Sequence, residues 1–394
     1  MLTETPPQAP SPASPGRAPD GLWQRAGGVS GVLLAAIMVS LLRVIQLLLM
    51  QWMAPDGTLA ARLLIWDGGW FINVAVEGYP DGYTYNAEGT RVGNGFAFFP
   101  LFPGLIRFFN LLGVPPQAAS LSVATLAGIV AGVGIYLLGT ALWSRRVGYA
   151  LAVLVCAQPM SVVLTMGYTE PLFLALVVLT LLAAHRRAWA LAGVGGVAAA
   201  LTRPTGMAVA IALAVAVLLA WRTSTGRERA AGVTGAGLAL LATPAFLAWV
   251  GWRVGEWDAW FKVQTAGWGS TFDYGSSVST FLLNTLRGGT GVVEMVTAWM
   301  IIGAVALVAV ASTQRLWPPL LVFGVISLVL VVGQAGYWHS KPRLLVPVLL
   351  VACVPLARAL GTASTRTAAV ILALWAAFGL WFGSHMITVW PFTI

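Results

Sequence analysis

Apolar runs long enough to cross a bilayer recur from Gly27 to the C-terminal end of the sequence, separated by short polar breaks. A helix needs roughly 20 such residues to traverse the hydrocarbon core. The pattern predicts spans near Gly27 to Met53, Ala118 to Trp143, Val147 to Met166, Pro171 to Ala184, Trp189 to Leu201, Thr205 to Trp221 and Ala231 to Trp252. Further spans are expected near Val292 to Ser312, Leu316 to Gly333, Leu344 to Leu360 and Ala368 to Val389, about eleven in all. Short alternating segments of the kind that build a membrane barrel are absent, so the expected fold is an all-α polytopic integral membrane protein. The first run is too long for a signal-peptide core and is expected to stay as the first span.

The longest break, residues 54–117, mixes polarity with Gly, Pro and many aromatics. Within it Phe96 to Phe109 is strongly aromatic and interrupted by Pro100 and Pro103, which predicts an interfacial or re-entrant element. An aromatic belt that fixes depth is the plainer alternative. Residues 1–21, rich in Pro, Ala and Ser, are expected to form a disordered tail, and 22–394 a single transmembrane domain.

Composition strengthens this picture: 58% of the residues are hydrophobic and 9% charged, which leaves no room for an ordinary soluble fold. The net charge of +9 would suit nucleic acid in a soluble protein. Here the Arg residues fall in alternate short loops, at Arg145-Arg146, Arg186-Arg187, Arg222 to Arg229, Arg315 and Arg358 to Arg366, together with Arg17 and Arg25. The positive-inside rule assigns that side to the cytoplasm, with the N-terminus, and no nucleic acid partner is expected. Cys156 and Cys353 lie within apolar runs and suggest no metal site. Arg43, inside the first span, is expected to face the bundle and pair with a polar group or a lipid phosphate.

Ten of the 13 acidic residues then fall on the opposite side, and only Glu4, Asp20 and Glu228 remain inside. Carboxylates contribute little to orientation, so the segregation reflects either chemistry on that side or the solvation of its longer loops.

Five short constellations on that side could carry chemistry. In Ile65 to Tyr79, Asp67 is placed to cap a short helix ending at Gly78, with Gly68 and Gly69 leaving room for another backbone or a ligand. Trp66, Trp70, Asn73 and Glu77 have the spacing of one helix face, which suits a sugar platform and equally suits interfacial anchoring. The aromatic stretch at Phe96 to Phe109 is the second. In the third, Tyr168-Thr169-Glu170-Pro171, Glu170 either caps the helix that Pro171 opens or serves as a functional carboxylate at the apolar boundary. The fourth, Thr202-Arg203-Pro204, offers an Arg fork beside a broken helix, fit for phosphate oxygens or for snorkelling. The fifth collects His339, Lys341 and Arg343, an anion site or a headgroup contact.

Taken in order, Trp66-Asp67-Gly68 with Trp70 and Gly78-Tyr79, Phe99-Pro100-Leu101 with Pro103, Tyr168-Thr169-Glu170 with Leu172-Phe173, and Thr202-Arg203-Pro204 with Gly206 resemble the PIG-V type mannosyltransferases. These belong to the GT-C class of membrane glycosyltransferases and are related to the second mannosyltransferase of GPI-anchor synthesis. The resemblance runs from about Arg62 to Met207, with Pro342-Arg343 a looser late match. It implies a GT-C-like helical bundle that takes a sugar, mannose in the family, from a polyprenyl-phosphate donor on the extracytoplasmic face. It further implies that Asp67 is the essential acid of the first outer loop, with Glu170 and Arg203 carried over beside it. The chain is shorter than the eukaryotic members and has no clear match to their acceptor-facing regions, so the expected acceptor is a bacterial lipid or glycolipid in place of GPI.

On this reading Asp67 is the base and Glu170 shares or orients that role, giving single displacement with inversion. Arg203, with His339, Lys341 and Arg343, holds the donor phosphate. Trp66, Trp70, Asn73, Glu77 and Tyr168 contact sugar or acceptor. The chemistry requires no cofactor, and a divalent metal is compatible with it. A transporter or flippase of a lipid-linked sugar, or a non-catalytic subunit that binds one, are the rival classes. A transporter predicts ionisable groups near the midplane, whereas all the candidates but Arg43 cluster at one boundary.

Overall fold

The computed structural model describes residues 20–394. The tail expected over 1–21 lies outside the described residues, apart from residues 20 and 21, which open a short helix, α1 (Asp20–Arg25). Gly27 and Gly28 follow at φ 71° and 61°, a left-handed turn open to glycine at little cost, and lead into α2 (Gly28–Met53).

The segment after α2 holds α3 (Leu59–Leu63), α4 (Asp67–Glu77), a hairpin of β1 (Thr84–Tyr85) with β2 (Arg91–Val92), and α5 (Leu101–Leu111). Then follow α6 (Pro116–Leu142), α7 (Arg145–Cys156), α8 (Glu170–His185), α9 (Trp189–Ala200), α10 (Gly206–Ala220) and α11 (Gly226–Val254). Two helices with no counterpart among the expected spans come next, α12 (Ala259–Trp268) and α13 (Ser276–Gly288). The chain closes with α14 (Val292–Thr313), α15 (Pro318–Val332), the short pieces α16 (Lys341–Leu344), α17 (Leu349–Ala352) and α18 (Val354–Thr362), and α19 (Thr365–Thr388).

Among the described residues six helices are long and apolar enough to cross a membrane: α2, α6, α10 with the turn that extends it to Thr223, α11, α14 and α19. A bent pair, Trp338–Leu344 with Leu349–Thr362, makes a seventh candidate with a 61° bend. The protein is a multi-pass membrane protein, but α8, α9 and α15 fall short of full spans. Apolarity located these runs and could not show where the helices inside them end. Val147 to Met166, expected as one span, is α7 and then a 3-10 turn at Ser161–Leu164. Pro159 lies in the gap, and proline both lacks an N–H and disfavours helix in the residue before it. Pro347 stands at the corresponding break between α16 and α17.

A broken helix frees carbonyl groups that apolar surroundings cannot satisfy. Arg43, 4% exposed, donates to the carbonyls of Cys156 and Ser161, and its Nη1 lies 3.4 Å from Thr165 Oγ1. The intramembrane cation thus caps the end of α7, a polar partner of the kind expected for it, supplied by backbone.

Small residues let the helices approach closely, as is usual where lipid offers no hydrophobic drive to association. A Cβ on Gly193 of α9 would stand 2.7 Å from the Cα of Gly235 on α11, and one on Gly132 of α6 would stand 2.4 Å from a Val39 methyl of α2.

The loops sort to two ends. At one, Arg25 donates to the carbonyls of Thr140 and Trp143, Arg146 to Ala363, and Arg187 to Thr223. At the other, backbone bonds join Gly167 to Leu63, Leu101 to Leu201, and Ala335 to Thr271. At this second end α5 buries Phe102 and Ile106 and leaves Phe108, Leu111 and Leu112 exposed, a surface helix with an apolar flank turned outward.

The hairpin docks on the region 253–268. Arg253 pairs with Asp81 at 2.6 Å, and Tyr83 donates to Glu256 at 2.8 Å. Lys262 pairs with Glu256 at 2.5 Å and with Asp258 at 2.9 Å, and Arg91 lies 3.7 Å over the Tyr83 ring. Gly93 and Gly267 meet with no space for a side chain: a Cβ on either would come 2.7 Å from the other's Cα.

Candidate functional site

Four side chains from four distant segments meet at the second end. Asp67 opens α4, Glu170 opens α8, Arg203 stands in the turn between α9 and α10, and Arg343 belongs to α16. Arg343 donates to Asp67 at 2.6 Å, and Arg203 pairs with Glu170 at 2.5 Å. Arg343 Nε lies 3.4 Å from Glu170, close enough for attraction but without hydrogen-bond geometry. The result is an alternating row, Asp67, Arg343, Glu170, Arg203, with side chains only 17%, 11%, 2% and 11% exposed. The four formal charges cancel, which is what makes their removal from water tolerable.

Local structure explains the placement. Trp66 precedes α4 at φ 54° and ψ −114°, a conformation that costs an L-residue about 1–3 kcal/mol. That sharp turn sets Asp67 as the first helical residue; it makes no capping hydrogen bond, contrary to expectation. Glu170 is likewise the first residue of its helix and not a cap. Both carboxylates sit at the positive end of a helix dipole, where negative charge is favoured. Thr169 Oγ1 accepts from Arg203 at 3.2 Å, and Pro204 turns the chain behind it.

The glycine expectation holds in a different place. A Cβ at Gly68 would make ordinary contacts of 3.6 Å, and one at Gly69 would meet nothing within 4 Å. Gly167 is the tight position, where a Cβ would come 2.5 Å from Ser120 Oγ and 2.6 Å from Leu64 Cδ2. Its N–H donates to the Leu63 carbonyl, fastening the Glu170 segment to the approach of α4.

The remaining predicted residues divide. Tyr168 is 1% exposed, donates to the Ile65 carbonyl at 3.1 Å, and lies with Arg343 over its ring at 5.1 Å; it braces Arg343 from within and is closed to an outside ligand. Lys341, 3% exposed, donates to the carbonyls of Val331, Gln334 and Ala335. Its ammonium caps the end of α15, where the helix break frees carbonyls, and makes no ion pair with the Asp67 row. His339 stacks on Tyr337 at 5.2 Å and packs among Trp338, Trp390 and Phe392, with Nδ1 buried and unbonded.

Trp66 is half-buried against the main apolar core. Trp70 stacks on Phe98 at 6.0 Å and meets Trp268 edge-on at 6.4 Å. Asn73 and Glu77 are exposed on the same helix. The expected common face is therefore divided between core packing and solvent.

The clasp around Glu256 escaped sequence reading because its members lie in separate loops; the charge density of Glu256, Asp258 and Lys262 was the available signal. Hydrogen bonds from Lys262 and Tyr83 hold the Glu256 carboxyl below the usual glutamate range. Burial, and then its bond to Glu256, push the Tyr83 hydroxyl up to about 12. Among the described residues no three His, Cys, Asp or Glu side chains converge as metal ligands would.

No protein-family model matches the sequence, and no curated protein matches it. Solved structures match in fold. The structure of ArnT from Cupriavidus metallidurans bound to undecaprenyl phosphate aligns over 89% of this chain and 64% of its own, at TM-score 0.51 and 16% identity. ArnT in the apo state aligns over 86% and 61%, at 0.50 and 18%. The archaeal oligosaccharyltransferase AglB from Archaeoglobus fulgidus, in complex with an inhibitory peptide and a dolichol-phosphate, aligns over 91% and 56%, at 0.50 and 13%. This chain thus has the GT-C fold and spans about three-fifths of the length of those proteins. The narrower PIG-V likeness has no counterpart in these matches.

Proposed function

We propose that the protein is a membrane glycosyltransferase that takes a sugar from a polyprenyl-phosphate donor and delivers it to a lipid or glycolipid acceptor. The observation that carries this reading is the buried row Asp67, Arg343, Glu170, Arg203. A balanced row of two acids and two guanidiniums suits a reaction in which a proton and a phosphate must be handled side by side. The GT-C fold supports it, since ArnT is solved with undecaprenyl phosphate and AglB with dolichol-phosphate. The motif resemblance points to mannose as the sugar.

Arg203 and Arg343 are the phosphate ligands in this account. Arg343 Nε is buried without a hydrogen-bond partner, a donor open to a phosphate oxygen. As the donor phosphate draws Arg343 toward itself, Asp67 loses its partner and becomes an available base. The acceptor hydroxyl gives its proton to Asp67 while its oxygen bonds to the anomeric carbon. The bond from that carbon to the phosphate oxygen breaks, polyprenyl phosphate leaves with the electron pair, and the configuration inverts. Glu170, held by Arg203, keeps the second guanidinium aimed.

An apolar groove of about 560 Å³, lined by Tyr79, Pro100, Leu201, Leu241, Phe246 and Trp249, suits the polyprenyl tail. Leu201 is two residues from Arg203, so tail and phosphate would lie together. The basic loops at the far end make this end extracytoplasmic by the positive-inside rule. The test is transfer of radiolabel from a polyprenyl-phosphate sugar to membrane lipid by the purified chain. Transfer supports the reading, and movement of the intact donor across a vesicle membrane without transfer would replace it with a flippase.

A further inference from the structure

A second cavity at the same end has a different character. It holds about 770 Å³ between α13, the start of α14 and the turn at Trp338, within the size range of small-ligand sites. The α13 residues Ser276, Thr280, Asn284 and Arg287 recur at helical spacing and line it. The Leu283 and Leu286 side chains, 54% and 49% exposed, form an outward apolar flank on the same helix. Glu294 borders the cavity from α14 and makes no ion pair among the described residues. Phe281 and Trp338 stack at 4.9 Å with 13° between their planes and form its apolar wall.

We propose that this cavity is the acceptor subsite and takes a polyhydroxylated headgroup, the carbohydrate of a glycolipid. Hydroxyl, amide, carboxylate and guanidinium groups together offer donors and acceptors of both kinds, which matches the alternating needs of sugar hydroxyls. One positive and one negative side chain leave no net charge to favour an anionic headgroup. The exposed leucines of α13 suit a ligand whose other end stays in the bilayer.

Position ties the cavity to the reaction. Trp338 precedes Arg343 by five residues of 3-10 and α-helical chain, which places their backbones roughly 8–10 Å apart along the axis. An acceptor seated against Trp338 would bring its headgroup to the edge of the Asp67 row.

This inference rests on the transferase reading, and the experiment separates the two. Binding of octyl glycosides, from monosaccharide to trisaccharide, is measured by saturation-transfer NMR on the purified chain in nanodiscs, beside transfer kinetics. Asn284→Ala and Glu294→Gln are expected to weaken glycoside binding at least tenfold and to raise the acceptor KM in step, with the donor KM unchanged. Asp67→Asn should bind glycoside as the wild type does. Wild-type binding that both cavity variants leave intact, or binding by no glycoside in the series, overturns the subsite. Binding lost in the variants, in a chain that never transfers sugar, keeps the subsite and overturns the transferase. Competition by phosphatidylethanolamine but by no glycoside would make it a phospholipid headgroup site and overturn the proposal.

Discussion

Arg343 reaches Asp67 at 2.6 Å across 276 positions of sequence, joining the late bent segment to α4 in the first long loop. Through Glu170 the same guanidinium is coupled to Arg203, so four segments that sequence motifs mark separately form one charged unit.

Glu170 is 2% exposed and its partner Arg203 11%. Removing one member of such a pair leaves a buried charge uncompensated, at a cost of about 3–5 kcal/mol. Glu170→Leu should lower the unfolding temperature in detergent markedly. Glu170→Leu with Arg203→Met, which removes both charges, should recover most of that loss while transfer stays abolished. A double variant no more stable than the single one would contradict a coupled pair.

Lys341 and Arg343 separate by role. The Lys341 ammonium is committed to three carbonyls, so Lys341→Met should destabilise the chain by about 1–3 kcal/mol and leave the donor KM unchanged. Arg343→Lys keeps the charge but loses the fork, and should raise the donor KM about tenfold or more. Kinetics with varied polyprenyl-phosphate sugar distinguish them, and a donor KM effect at Lys341 would return it to the phosphate site.

Gly167→Ala forces a Cβ to 2.5 Å from Ser120 Oγ, an overpacking expected to cost about 1–3 kcal/mol. Gly69→Ala meets nothing within 4 Å and should be neutral or slightly stabilising, as alanine is the better helix former. Thermal unfolding of the pair measures the contrast.

The Glu256 clasp predicts a pH response. Its carboxyl is held below the ordinary glutamate value of about 4.3, so the folded state binds fewer protons than the unfolded state near that pH. The stabilisation is present in full above about pH 4.3 and is lost as pH falls through the lowered folded value. Proteolytic nicking of the hairpin at 84–92 should therefore rise on acidification. Glu256→Gln should be nicked more readily above pH 4.3 and show little further change below it.

The motifs Trp66 to Tyr79, Tyr168 to Glu170 and Thr202 to Arg203 were legible because each sits at a helix start or turn, where Gly and Pro punctuate the pattern. The helical class and the end-to-end sorting of Arg and carboxylates were legible from apolar runs and loop charge. The interior ends of helices were not, because the apolar runs around Pro159 and Pro347 continue past each break. Nor was the fate of the cations: Arg43 and Lys341 look like Arg203 in sequence, and only the three-dimensional position of freed carbonyls assigns them to capping. Tyr168 stood beside Glu170 and was expected at the substrate, yet its ring faces inward under Arg343. The α13 stripe at 276, 280, 284 and 287 is readable at period 3.6, but its polarity sets it apart from the apolar runs that predict spans.

The central claim is that Asp67 is the base and that Arg343 holds it only until the donor phosphate arrives. It is tested most directly by transfer from a radiolabelled polyprenyl-phosphate sugar, comparing wild type with Asp67→Asn at equal folded protein. The account predicts a fall in kcat of about 100-fold or more with donor binding retained, whereas full activity in a normally folded Asp67→Asn protein would contradict it.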